Sequence, residues 1–362
     1  MKHKIRKLYT PLLAGALCLL LAGGGIRAAA AARPLGDVNG DGLVTVSDVV
    51  QLRQIISADA AVEEAIFLAA DVDGDKRITV SDAVALRQAI LNGSTAAPPE
   101  EPDSPANPTE GWNTSAKGRY YYKDGAFLTG RQTIGGLRYD FDENGLCLTR
   151  AGIDVSTWQT ALDWTKLKSQ GVEFAFVRLG YRGYGAAGTL RTDDQYDRHM
   201  SGAAAAGVDT GVYFFSQATG AAEGAEEAAY VLSHLGSYTI SYPIVIDIEY
   251  LGISDARAES ISKAARTAAA KAFCDAILAA GYWPMIYANP DMCKNGLDLS
   301  LLSGYDFWLA HYTEETSFSH PFQVWQYSES GKLDGFPGQA DVNLCYRDYP
   351  TFLKQNGYNK LS

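Results

Sequence analysis

Cysteine, methionine and histidine are scarce in this chain of 362 residues, at five, four and five copies. The cysteine spacing fits no metal framework, and none of the cysteines sits in a nucleophile motif. His311, in FWLAHYT, has no serine or cysteine motif beside it and reads as a structural hydrogen-bond partner. A surplus of basic charge is also lacking. The net charge of -11 argues against a nucleic-acid partner and leaves neutral or cationic ligands open. Missing too is an apolar run long enough to span a bilayer. The nearest, LLAGALCLLLAGGG, follows Lys2, Lys4, Arg6 and Lys7 and ends in the small-residue tract Ala28 to Ala32. Residues 1–32 therefore read as a secretory signal peptide, and Cys18 inside it is not read as a lipid-attachment site. An extracellular chain would keep Cys147, Cys274, Cys293 and Cys345; a disulfide such as Cys274 with Cys293 stays open.

With 47% hydrophobic and 20% charged residues the rest of the chain has the makings of a sizeable core, and its length suggests two or three domains. The first, residues 36–93, is an internal repeat: GDVNGDGLVTVSDVVQLRQII at 36–56 recurs as ADVDGDKRITVSDAVALRQAI at 70–90. Asp37, Asn39, Asp41 and Asp48 fall at positions 1, 3, 5 and 12 of a calcium loop, as do Asp71, Asp73, Asp75 and Asp82 in the second copy. The backbone carbonyls of Leu43 and Arg77 would supply position 7. Gly42 suits the sharp turn of the first loop, whereas Lys76 replaces it in the second and implies backbone strain there. The duplicated loop, each copy followed by SDxVxLRQxI, resembles a type I dockerin. That resemblance implies two calcium ions and a cohesin partner on a scaffolding protein. The implied cohesin-binding positions are Val46, Ser47, Arg53 and Gln54, with Val80, Ser81, Arg87 and Gln88 in the second copy. The two sets are identical, which would allow binding in either of two orientations.

Residues 94–110 form a Pro-rich acidic linker. Residues 111–149 alternate aromatics with turns: Tyr120-Tyr121-Tyr122-Lys123-Asp124-Gly125, then Tyr139-Asp140-Phe141-Asp142-Glu143-Asn144-Gly145. This resembles the choline- or glucan-binding hairpin repeats of cell-wall proteins. Fewer than three units are present, so a spacer packed on its neighbour competes with ligand binding.

Residues 150–362 carry the chemistry. Eight strand-like runs, 151–156, 174–181, 209–217, 243–250, 283–289, 306–312, 322–328 and 340–346, alternate at first with Ala-rich helical stretches at 196–206, 220–235 and 256–280. Alternation of this kind implies a parallel sheet, and eight strands imply an irregular (β/α) barrel with its active site at the C-terminal strand ends. The most telling run is PIVIDIEY (243–250), a buried apolar strand that ends in two acids. Asp247 and Glu249, at i and i+2, share one face of a pleat, about 6.7 Å apart along it. Two acids at one site repel, which keeps one protonated near neutral pH, as glycosidic cleavage requires. A metal pair or a satisfied ion pair would leave the same trace. Asp154 and Asp341 join them at the rim, with Tyr181, Tyr213, Tyr250, Tyr287, Trp308, Tyr312 and Trp325 as rings suited to sugar C–H faces.

The motifs GIDVSTWQ (152–159), GVYFFSQA (211–218), PIVIDIE (243–249), YANP (287–290), FWLAHYT (307–313) and VWQYS with GxxxxxDVN (324–328, 335–343) resemble family 25 glycoside hydrolases, secreted muramidases. The resemblance implies a multidomain protein: an irregular (β/α) barrel preceded by a small all-α calcium-loop dockerin and a short β-hairpin segment. It implies Glu249 as catalytic acid, Asp247 as the carboxylate that orients the substrate acetamide, Asp154 and Asp341 as further rim acids, and Gln326 at the substrate. It also implies peptidoglycan as substrate, no catalytic cofactor and a monomeric chain. Two alternatives stay open: an inactive wall-binding barrel, or hydrolysis of another N-acetylated glycan such as chitin.

Overall fold

The computed structural model describes residues 33–58, 62–74, 76–91, 108–115, 117–254 and 256–361, so the segment expected to be a signal peptide, Asp75 and nearly all of the Pro-rich linker lie outside the described residues. The chain divides into two compact units, Met1–Glu100 and Glu101–Ser362.

In the first unit each loop runs into a helix. The helices are α1 (Val46–Ala58) and α3 (Val80–Leu91), with α2 (Glu64–Ala70) between them. Both repeat helices start on a capping box, because Asp48 Oδ2 accepts the Thr45 amide at 2.8 Å and Asp82 Oδ2 accepts that of Thr79 at 2.7 Å. Val49 and Leu52 meet Ala83 and Leu86 in a small core closed by Val38 and Ala70.

The second unit opens with five short strands. β1 (Gly111–Thr114), β2 (Arg119–Lys123) and β3 (Ala126–Phe127) make one antiparallel sheet, and β4 (Gly130–Ile134) pairs with β5 (Leu137–Phe141). Positive φ at both Asp124 and Gly125, and at both Gly135 and Gly136, gives the two tight hairpin turns. The inner residues of β5, Leu137, Tyr139 and Phe141, belong to the core of the barrel that follows. Arg119 pairs with Glu173 at 2.9 Å, Tyr139 donates to the Gly171 carbonyl at 2.9 Å, and Arg138 lies over the Tyr327 ring. The hairpins are thus fixed to the barrel wall.

Eight strands close the barrel. They are β6 (Arg150–Val155), β7 (Phe174–Arg182), β9 (Asp209–Phe215), β10 (Ile244–Asp247), β11 (Pro284–Ala288), β12 (Asp306–Ala310), β13 (Val324–Gly331) and β14 (Ala340–Cys345). The short β8 (Leu190–Thr192) is added at the edge of β7. α4 (Trp164–Gln170), α5 (Tyr196–Ala206), α6 (Ala221–His234), α7 (Lys263–Ala279) and α8 (Tyr349–Gln355) complete it. The helix expected from residue 256 starts only at Lys263, on the Ser262 cap. The sheet also departs from the expected all-parallel pattern: β14 runs antiparallel to both β13 and β6. Its connection from β13 is too short for a crossover, which a parallel return needs. The four described cysteines are free, so Cys274 and Cys293 form no disulfide.

Strand pleating sorts the barrel residues into two cores. Ala151, Ile153, Ile244, Ile246, Phe307, Leu309 and Trp325 face outward to the helices and hairpins, whereas Phe174, Phe176, Val245, Met285, Tyr287, Trp308 and Val324 fill the lumen.

Candidate active site

The lumen opens into a cleft of about 330 Å³. Asp154, Asp247, Glu249 and Asp341 all line it. Asp154 and Asp247 come from the C-terminal ends of β6 and β10, and Glu249 stands just past the end of β10. Asp341 is placed differently. Because β14 is reversed, its beginning reaches this rim, and Asp341 sits directly opposite Asp154 in the ladder.

Burial raises the pKa of all four groups. Asp247 is pushed well above the carboxylate range by burial, then by the charges of Glu249 and Asp154. Glu249 is raised by burial and Asp154, while its hydrogen bond with Asp247 works the other way. Two buried carboxylates joined by a hydrogen bond favour a state in which the pair shares one proton. Asp341 is pushed up to about 8, by burial and then by Asp154. Asp154 rises only to about 6 through burial, because the amides of Asn343 and Gln326 each donate to its Oδ2 at 2.8 Å.

These amides belong to a wider network. Gln326 Oε1 accepts the Tyr287 and Tyr312 hydroxyls, both at 2.9 Å, and Asn343 Oδ1 accepts Trp308 Nε1 at 2.7 Å. Trp308 is stacked on Phe176, with ring centroids 4.5 Å apart, and meets Tyr287 edge-on. Gln326 and Asn343 are thereby fixed in orientation, and they in turn hold Asp154 charged.

Among the expected rings, Tyr213, Tyr287, Trp308 and Tyr312 line the cleft, as does Gln326. Tyr181, Tyr250 and Trp325 do not. Trp325 points outward, donates to the His311 carbonyl at 2.7 Å and packs under Arg131 of the hairpins. Tyr250 lies against Arg266 on α7, and Tyr181 against Arg178. His311 bonds Thr316 at 2.8 Å and is not among the cleft residues. Sequence reasoning missed Arg178, whose Nε meets the buried Asp193 at 2.6 Å, and Trp158, Gln159, Tyr184, Phe215 and Glu329 along the walls. Arg178 had a readable signal: it shares the parity of Phe174 and Phe176 in an otherwise apolar strand.

The calcium loops gather acids by other means. Asp71, Asp73 and Asp82 converge with ligand atoms within 4.8 Å of one another, and the buried Oδ1 of Asp71 has no hydrogen-bond partner. Such a donor set suits a hard divalent cation. In the first loop Asp37 accepts the amides of Gly40 and Gly42, Asp41 accepts that of Leu43, and Asn39 bonds Asp41. Asp48 and Asp82 also accept the amides at positions 2 and 3 of their loops, tying each loop to its helix. Val46, Ser47, Arg53 and Gln54 are exposed on α1, and Ser81 and Arg87 on α3; the side chains of Val80 and Gln88, like all of Asp75, lie outside the described residues.

The sequence matches the model of glycosyl hydrolases family 25 over residues 153–336 and that of the dockerin type I domain over residues 35–91. "Lysozyme M1" of Streptomyces globisporus is 27% identical over 210 residues, covering 53% of this chain and 66% of its own. The "Autolytic lysozyme" of Clostridium acetobutylicum is 26% identical over 194 residues, covering 53% of this chain and 54% of its own. The modular autolysin LytC from Streptococcus pneumoniae shares the fold, with a TM-score of 0.50 at 22% identity over 65% of this chain and 57% of that one. The chain thus spans less than two thirds of the length of each of these three relatives. The match to its barrel takes in half of the chain and makes it a member of glycosyl hydrolase family 25, joined to a type I dockerin domain.

Proposed function

We propose that the chain is a secreted peptidoglycan hydrolase that cuts the β-1,4 bond between N-acetylmuramic acid and N-acetylglucosamine. The observation that carries this reading is the buried Asp247–Glu249 pair in a cleft lined with aromatic rings and two further acids. Glu249 protonates the leaving oxygen. Glu249 acts when the proton shared by the pair is on it, and bound substrate favours that form. A bound sugar excludes water from Glu249, which raises it further. An acetamido N–H donated to Asp247 favours that group's charged form. Both changes carry the proton to Glu249. Asp247, now charged, steadies the acetamide as its oxygen attacks the anomeric carbon, and Glu249 then activates water. Asp154, kept charged by Asn343 and Gln326, supplies negative potential at the rim, where the sugar gains positive charge, with Asp341 opposite it in the ladder.

The dockerin tethers the enzyme to a cohesin through the exposed faces of α1 and α3, with calcium, when bound, closing each loop onto its helix. Asp37, Asn39, Asp41, Asp48 and the Leu43 carbonyl would hold one ion. Asp71, Asp73, Asp75, Asp82 and the Arg77 carbonyl would hold the other. Residues 111–149 act as a fixed spacer, since their inner rings are spent on the barrel core.

Mass spectrometry of purified peptidoglycan after digestion and borohydride reduction tests the activity. Products ending in reduced N-acetylmuramic acid are expected. Products ending in reduced N-acetylglucosamine, or none at all, would remove the assignment. Chitin incubated in parallel should stay intact.

A further inference from the structure

Of the six tryptophans, Trp158 alone is exposed, at 80%, and it stands on the wall of the catalytic cleft. Its backbone is nevertheless held firmly. The Thr157 amide donates to the buried Asp193 carboxylate at 2.9 Å, and the Ser156 amide to Gln159 Oε1 at 2.8 Å. The Ser156 carbonyl in turn receives the Gln159 amide at 3.1 Å and meets His199 Nε2 at 3.0 Å. A large apolar ring held in water on a rigid turn gains free energy when a ligand covers it. Rigidity also means that covering it costs little ordering entropy. Tyr184, 53% exposed, lines the same cleft and meets Phe215 edge-on at 6.4 Å.

We infer that Trp158 and Tyr184, both exposed on the wall of this cleft, contribute to an outer subsite for a pyranose ring of the glycan strand, away from the bond being cut. The inference rests on the proposed glycan substrate. Pyranose rings present C–H faces that stack on an indole, while their hydroxyls stay in water, which fits a platform exposed on one side. The catalytic acids fix the scissile bond, and the platform reads how far the strand extends.

Binding to the full-length Glu249→Gln chain tests this, using unbranched N-acetylglucosamine–N-acetylmuramic acid oligomers of increasing length. Affinity should rise with length, and the tryptophan emission should shift to the blue as Trp158 is covered. Adding Trp158→Ala should weaken binding of the longer oligomers about tenfold, abolish the shift and leave the shortest oligomer unchanged. With Glu249 intact, Trp158→Ala should raise KM on long strands with little change in kcat, and Trp158→Phe should restore most of the loss. An affinity ladder that is the same with and without Trp158, in a chain that cuts peptidoglycan, overturns the platform alone. A wild-type chain that neither binds nor cuts glycan overturns the proposed activity, and the platform with it.

Discussion

Carboxylates are gathered in two places in this chain, and the surroundings give them opposite tasks. In the calcium loops they accept backbone amides and converge around an open point. In the cleft burial and mutual repulsion raise them, so that Asp247 and Asp341 favour the protonated form while two side-chain amides keep Asp154 charged. Counting acids would not separate the two sites. Burial and hydrogen-bond supply do. The largest expected effect breaks the cleft side: Glu249→Gln, nearly isosteric, should lower turnover by about 10²–10⁴-fold while the chain stays folded. Near-normal product release from peptidoglycan would remove Glu249 as the acid.

Chelation breaks the other side. Removing calcium from the full chain should unfold the residues around α1 and α3, read as lost helical circular dichroism, with hydrolysis of peptidoglycan unchanged. Asp82→Ala should mimic this for the second loop, since it removes a ligand and the capping-box acid together. A chelated chain with unaltered dichroism would mean that the dockerin folds without metal.

The cleft also predicts a cost in stability. A carboxyl whose folded value is raised contributes stability that is complete below its unfolded value, near 4. That contribution is lost as pH rises through the folded value. For Asp154 and Asp341 the loss spans pH 4 to about 6 and about 8. Asp341→Asn should therefore melt higher than the wild type, by a margin that grows from pH 4 to 8 and then stays constant. Activity should fall in the same variant, as expected where a site is built from mutually repelling groups. Parallel melting curves at pH 4 and pH 8 would contradict the burial of that acid.

How much of this was legible in the sequence depended on periodicity. All eight barrel strands show up as apolar runs, and both calcium loops show up by repeat. Register and direction do not. Trp325 and Gln326 were both expected at the substrate, yet neighbours on a strand face opposite sides, and only Gln326 turns inward. Asp341 was expected at the rim, but no local signal showed that a reversed strand brings it there. Trp158 lies three residues past the end of β6, where no period operates, so its exposure appears only in three dimensions.

The smallest effect lies within the dockerin, where the two loops differ at one backbone position. Gly42 and Lys76 both have positive φ, 86° and 64°, and their amides donate to Asp37 Oδ2 and Asp71 Oδ2 at the same 3.0 Å. A Cβ at Gly42 would meet nothing within 4 Å, so the swap Gly42→Lys tests backbone strain without a clash. A side chain in the left-handed region costs about 1–2 kcal/mol, offset by about 0.5–1 kcal/mol because glycine loses more freedom on folding. Lys76→Gly should then stabilise the second loop by about 0.5–1 kcal/mol and tighten its calcium affinity a few-fold, while Gly42→Lys weakens the first loop by as much. Calorimetric titration of both variants should move the two sites in opposite directions. If neither site moves, backbone strain at this position does not set the difference between the loops.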